Sequence, residues 1–272
     1  MKTNRALLLH IAVWLAALAV ALPVVLLVIW SFANRWPIPQ LFPEAITFRG
    51  WQRLFSGYFN VWRVTVSSIG LSLFVGAIST LVATMSSRAL CVYPFPGKGL
   101  IEAIAMLPIM VPATVFGMGS HILFIRLGLN HTLAAVVLCH LISTLPFAMR
   151  VMLETTRLVS DRLEEQARVL GASPLAAFWH GTLPAIAPGM ISAWAVSFLF
   201  SYTQYFLTLL VGGGKVKTLA IIVMPLIEGA DRTISSVYSL LYIASAAGVF
   251  AVLHGVSAMV ANRAGKLPGG AS

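Results

Sequence analysis

The sequence predicts an all-α integral membrane protein of six transmembrane helices, with one long polar loop between the fourth and fifth. Three observations predict it. Of 272 residues, 59% are apolar and only 10% charged, a balance foreign to a water-exposed surface. The apolar residues gather into six runs, at 7–32, 64–85, 101–125, 133–153, 186–211 and 235–260. No run carries Lys, Arg, Asp or Glu near its middle; Glu102 and Arg150 stand towards run ends.

Each run reaches the roughly 20 residues that a helix needs to cross a hydrocarbon core about 30 Å thick. A charge at the centre would cost about 2.5–3.5 kcal/mol, so uninterrupted runs can insert. The runs are continuous rather than alternating, which excludes a β-barrel and leaves helices as the spanning structure. The organisation expected is a first helix and outer loop at 1–61, a membrane core at 62–263 and a short cytoplasmic tail at 264–272, with no separate soluble domain.

The first run follows Lys2 and Arg5 and contains Ala19-Val20-Ala21, so it imitates a secretory signal. Its apolar length exceeds a signal core of about 7–15 residues, and it is read as a retained span. Trp36, Trp51 and Trp62 in and beside the next loop fit an interfacial belt. Arg35, Arg49, Arg53 and Arg63 in that outer loop partly oppose the positive-inside rule. With the N-terminus inside, about ten Lys or Arg face the cytoplasm against about eight outside, a margin that does not fix orientation.

The formal charge of +10 does not imply nucleic acid, because the Lys and Arg residues stand singly between apolar runs. Cys91, expected in an interhelical loop, and Cys139, inside an apolar run, lack metal-site or redox spacing. The six histidines are scattered without an HExxH pattern or a Ser/His/Asp arrangement, so an intramembrane enzyme is not supported. No Walker-type phosphate loop occurs, and any ATP must be bound by another chain. A secondary transporter or channel would be expected to show charges within spans or repeated halves, and neither is visible.

Within the third run, Pro108 and Pro112 each remove a backbone donor, and Gly117 and Gly119 follow. They mark either a kink or gate, or a place where helices approach closely. Pro188, beside Gly189 at the start of the fifth run, carries the same two readings. Ser201, Thr203, Gln204 and Tyr205 form a polar cluster with Tyr202 deep in the fifth run. Polar groups there line a water-filled path or hydrogen-bond neighbouring helices. Gly212-Gly213-Gly214 with Lys215 and Lys217 reads as a flexible outer loop, and Glu228, Asp231 and Arg232 as part of that connection.

The most polar stretch, residues 154–184, holds Arg157, Asp161, Arg162, Glu164, Glu165 and Arg168. Residues 163–170 are helix formers, and Gly171 can take the left-handed conformation that ends a helix. Ser173 is suited to cap a second helix and Pro174 to its first position. That helix is expected over 175–180, with Leu183-Pro184 forming a second corner before the fifth span. The stretch is thus a stiff elbow at the membrane surface.

Glu165-Gln166-Ala167, then Gly171, then Leu183-Pro184 resembles the EAA loop of binding-protein-dependent ABC importer permeases, and Val169-Leu170-Gly171-Ala172-Ser173-Pro174 matches the wording around it. Gln166 replaces the first Ala, and Gly181 stands where an aliphatic residue is usual. The similarity extends over about residues 61–263 and includes Leu107-Pro108 to Pro112 and Leu145-Pro146-Phe147. It is to the type I, MetI-like permeases, nearest in wording to the polyamine, thiamine and phosphonate branch.

This resemblance implies a permease that forms a path for a small polar solute but hydrolyses nothing. It implies a bacterial inner-membrane location with both termini cytoplasmic. The partners implied are two ATP-binding subunits that hold ATP and Mg, a second permease, which is a copy or a relative, and a substrate-binding protein. Glu165, Ala167, Gly171, Ala172, Ser173, Pro174, Phe178, Leu183 and Pro184 fall on the coupling segment. Many polyamine permeases have acidic residues where Thr203 and Gln204 stand, which favours small polar or zwitterionic solutes over strongly cationic ones.

Overall fold

The computed structural model describes residues 2–34, 36, 40, 43–57, 60–159 and 162–264. Arg35, Asp161 and the expected tail beyond residue 264 lie outside them. The elements in chain order are α1 (Lys2–Phe32), α2 (Arg49–Phe55), α3 (Val61–Val92), α4 (Lys98–Met110), α5 (Ala113–Arg126) and α6 (Leu133–Val159). Then come α7 (Arg162–Val169), α8 (Pro174–Ala177), a π-helical turn (Phe178–Thr182), α9 (Leu183–Tyr202), α10 (Phe206–Gly212), α11 (Leu219–Glu228) and α12 (Arg232–Ala264). Among the described residues there is no strand, only an isolated bridge between Ala33 and Ile46.

Five helical segments are long and apolar enough to cross a membrane: Ala12–Phe32, Val61–Val92, Leu133–Val159, Pro174–Tyr202 and Arg232–Asn262. The third apolar run corrects the expectation of one helix over 101–125. It is two helices, α4 and α5, meeting at 101° across Val111 and Pro112. At about 1.5 Å per residue neither reaches 30 Å alone. Pro112 explains the break: it forces the preceding residue out of helical conformation, and Val111 is extended at ψ 127°. Pro108, by contrast, lies inside α4.

The fifth run is also divided. The helix expected over 186–211 ends at Tyr202 and restarts at Phe206, so the polar cluster occupies a break rather than the middle of a helix. The connection that follows Lys217 contains a short helix, α11, whose ten residues are too short to cross. Cys91 lies in the last turn of α3, not in a loop, and no disulfide joins it to Cys139.

The chain divides into two compact units. One comprises residues 1–64 and 222–245. There Asp231 caps α12 by accepting from the Ile234 N–H at 3.2 Å and pairs with Arg49 at 2.9 Å. Thr233 donates to the Ala33 carbonyl, and the Arg232 guanidinium sits 5.0 Å from the Trp30 ring centroid. Asp231 and Arg232 therefore make contacts within this unit, to α2 and α1 respectively. The apolar side chains of α1 between residues 12 and 26 remain outward, Val13 at 66% and Val20 at 78% exposure, as a lipid-facing helix requires.

The other unit comprises residues 65–221 and 246–272, and α6 packed on α9 is its spine. Its core joins Ala83, Leu90, Met149, Met152, Leu153, Ile186 and Ala193. Apolar burial drives little between helices in lipid, so close approach and hydrogen bonds fix the packing. Ser79 meets Thr144 at 2.7 Å, Trp194 Nε1 donates to the Leu73 carbonyl at 2.9 Å, and a Cβ on Gly189 would strike the Thr155 side chain.

Candidate functional site

Residues 162–182 of the second unit build the elbow from local signals. Helix α7 ends in a two-bond cap: the Gly171 N–H donates to the Arg168 carbonyl at 2.9 Å and the Ala172 N–H to the Ala167 carbonyl at 3.0 Å. This pairing requires a left-handed residue between them, and Gly171 has φ +89°. The expected first corner, with Ala167, Gly171 and Ala172 as its parts, is present.

Ser173 then caps α8. Its backbone is extended, its Oγ accepts from the Ala176 N–H at 3.3 Å, and Pro174 takes the first helical position. The second corner is corrected. Leu183 and Pro184 do not stop the chain; α8, the π turn and α9 run on as one span from Pro174 to Tyr202. The Leu183 N–H reaches back five residues to the Phe178 carbonyl. This wider turn accommodates Pro184, whose ring in a regular helix would strike the carbonyl four residues back.

The elbow turns apolar side chains outward. Val169 is 87% exposed, Leu170 88%, Leu175 67% and Trp179 55%. Glu165, Gln166, Val169 and Leu170 line one shallow groove. The same segment also carries a charged joint that the sequence does not reveal. Arg88, near the end of α3, grips Glu164 of α7 with both guanidinium arms, at 2.7 and 2.8 Å. Thr182 of the π turn donates to the same carboxylate at 2.6 Å. The Arg88 guanidinium also lies over the Phe178 ring, 4.3 Å from its centroid. Phe178 therefore faces inward to this joint rather than serving only the outer surface.

At the other end of α9, the expected path residues separate. Ser201 is buried at 2% exposure and bonds His140 Nδ1 of α6 at 2.9 Å. His140 Nε2 meets Thr208 Oγ1 of α10, also at 2.9 Å. Thr208 spends its proton on the Gln204 carbonyl, so His140 Nε2 is the donor to Thr208, and Ser201 donates to Nδ1. His140 thereby joins α6 to both sides of the break. Thr203 is exposed and bonds back to the Leu199 carbonyl at 3.0 Å. Gln204 is half-buried and donates to Ser143 at 3.4 Å, and Tyr205 stands at the start of α10.

Of the proline positions, Pro112 opens α5 after the sharp bend. Pro188 lies within α9, and its carbonyl accepts from Ser192 at 2.9 Å and from Ser257 of α12 at 3.0 Å. Gly117 is a close-approach site, where a Cβ would lie 2.8 Å from Phe206, whereas Gly119 faces open space. Among the described residues no group of three or more His, Cys, Asp or Glu forms a metal site.

Residues 81–266 match the family described as Binding-protein-dependent transport system inner membrane component. The Trehalose transport system permease protein SugB of Mycobacterium tuberculosis is 26% identical over 194 residues, which cover 71% of this chain and 70% of that protein. The Spermidine/putrescine transport system permease protein PotC of Escherichia coli (strain K12) is 22% identical over 232 residues, covering 85% of this chain and 86% of that one. Among solved structures, a bacterial ABC transporter involved in the import of the acidic polysaccharide alginate is similar in fold. One such structure superposes with TM-score 0.65 at 16% identity over 94% of this chain and 98% of the other. A second, in complex with alginate pentasaccharide-bound periplasmic protein, gives 0.68 at 18% identity over 97% of each chain.

Proposed function

The chain belongs to the family of binding-protein-dependent transport system inner membrane components, and we propose on that footing that residues 162–182 are where an ATP-binding subunit drives it. It is the multi-pass permease subunit of an ATP-binding-cassette importer, and such subunits are not themselves enzymes.

The observation that carries the proposal is the pairing of exposed Val169, Leu170, Leu175 and Trp179 with a backbone fixed at Gly171 and Ser173. Large apolar side chains held outward from a polar segment mark an interaction surface, which the proposal assigns to the ATP-binding subunit. A segment whose corners are fixed can pass on force without collapsing. Glu165, Ala167, Gly171, Ala172, Ser173 and Pro174 form the docking side. Phe178, Leu183 and Pro184 belong to the continuous rod that leads into α9. The elbow then faces the cytoplasm, as do both termini.

The assembly we propose has two ATP-binding subunits, which hold ATP and Mg, a second permease and a substrate-binding protein. The solute path runs beside the α9–α10 break, with exposed Thr203 and half-buried Gln204 offering hydroxyl and amide groups. Pro108 and Pro112 shape the bend beside it, and Pro188 fastens α9 to α12. Uncharged groups at the break suit a small polar or zwitterionic solute. Relatives named for trehalose and for spermidine/putrescine transport are compatible with polar cargo of more than one kind.

The test is Val169→Asp combined with Leu170→Asp in the complete importer. The pair is expected to lower the amount of ATP-binding subunit that co-purifies by about tenfold, or about 1.4 kcal/mol of association, while leaving the permease folded. Native co-purification and native binding-protein-stimulated ATPase activity in this variant would sink the proposal.

A further inference from the structure

We infer that Arg88 is a positioning residue for energy coupling, which carries displacement of the elbow into the end of α3; this rests on the coupling reading above. The elbow is continuous with α9 through the π turn and follows α6 in the chain, so those helices receive its motion covalently. α3 has no such link, since the segment after it leads to α4.

Its attachment to the elbow is the Arg88 joint. Both arms of the guanidinium are committed to one carboxylate, a planar geometry that fixes direction as well as distance. The carboxylate is also held by Thr182, so α3, α7 and the π turn meet at one group. Phe178 covers one face of the guanidinium, and the pair is largely shielded, with side-chain exposures of 22% for Arg88 and 17% for Glu164. Exposed pairs contribute little, whereas removing one partner of a shielded pair leaves a charge without its partner and is costly.

Ser87 adds a second contact one residue earlier, meeting Thr156 of α6 at 3.2 Å. The last turns of α3 are thus fastened to α6 as well as to the elbow. Neither Lys nor an apolar residue at position 88 reproduces the fork.

The experiment uses the complete importer in lipid nanodiscs, with Cys91 and Cys139 replaced by Ala. A spin label is placed at Leu81→Cys on α3 or Val196→Cys on α9, and spectra are compared before and after trapping with ATP and vanadate. Both labels are expected to respond in the otherwise unsubstituted protein. In Arg88→Leu the α3 response is expected to fall at least fivefold while the α9 response stays within twofold. The exchange Arg88→Glu with Glu164→Arg is expected to restore at least half of the α3 response.

An α3 response within twofold of the parent in Arg88→Leu overturns the inference and leaves the coupling reading standing. Silence of both labels in the parent overturns the coupling reading and the inference with it. Should Arg88→Leu fail to assemble, Arg88→Lys decides: an α3 response halved or less supports the joint, and a full response overturns it.

Discussion

The elbow and the α9–α10 break are inverted with respect to their surroundings in opposite ways. In a polar stretch the elbow exposes Val169 and Leu170 at 87% and 88%. In an apolar stretch the break buries His140, Ser201 and Thr208, at 0%, 2% and 0% exposure. The difference lies in where satisfaction comes from. The buried polar groups find partners within the chain, each ring nitrogen of His140 meeting a hydroxyl. The exposed apolar groups have no such partners, and the proposed docking of an ATP-binding subunit is what would cover them. The break is a closed joint, and the elbow an open one.

The glycines draw the same contrast and provide the largest expected effect. Gly76 on α3 is required for space: a Cβ there would lie 3.1 Å from the Trp194 carbonyl oxygen and 3.2 Å from the Phe198 nitrogen. Backbone cannot step aside as a side chain can. Gly76→Val is therefore expected to destabilise the bundle by about 3 kcal/mol, read as a lowered thermal midpoint in detergent. An unchanged midpoint would show that α3 and α9 are not held as closely as described.

The intermediate effect belongs to the break. His140→Leu keeps comparable bulk but strands the Ser201 hydroxyl, while Thr208 retains its bond to the Gln204 carbonyl. Interhelical hydrogen bonds in membranes contribute about 0.6 kcal/mol on average and up to about 1.7, so a total loss of about 2 kcal/mol is expected. His140→Gln, which can donate and accept, is expected to recover about half of it. Equal stability of the Leu variant and the parent would mean that α10 is positioned by packing alone.

Legibility from sequence followed the range of the forces involved. The spans were readable because insertion depends on summed composition, and the corner at Gly171 because capping acts within a few residues. Val111-Pro112 was readable as a bend but not as a 101° break, since the angle depends on what the two halves pack against. Leu183-Pro184 was misread as a corner because the sequence gives no sign of the π turn that absorbs the proline. Arg88 was missed because its partner lies 76 residues away, and adjacent Glu164 and Glu165 look alike in the chain. His140 was missed for the same reason: its hydroxyl partners, Ser201 and Thr208, are 61 and 68 residues distant.

The smallest effect on stability carries the most functional information. Gly171 is required for conformation, not space, with φ +89° and nothing within 4 Å of where a Cβ would stand. Gly171→Val therefore meets no clash and incurs only the strain of a left-handed β-branched residue, about 1 kcal/mol. That strain is relieved by unwinding the last turn of α7, which loses the Gly171-to-Arg168 and Ala172-to-Ala167 bonds and leaves the bundle intact. The thermal midpoint should hardly move, yet ATPase activity stimulated by the binding protein should fall severalfold, because a slack corner cannot deliver displacement to α9. A Gly171→Val importer with native stimulation would show that stiffness at this corner is not what couples the elbow to the bundle.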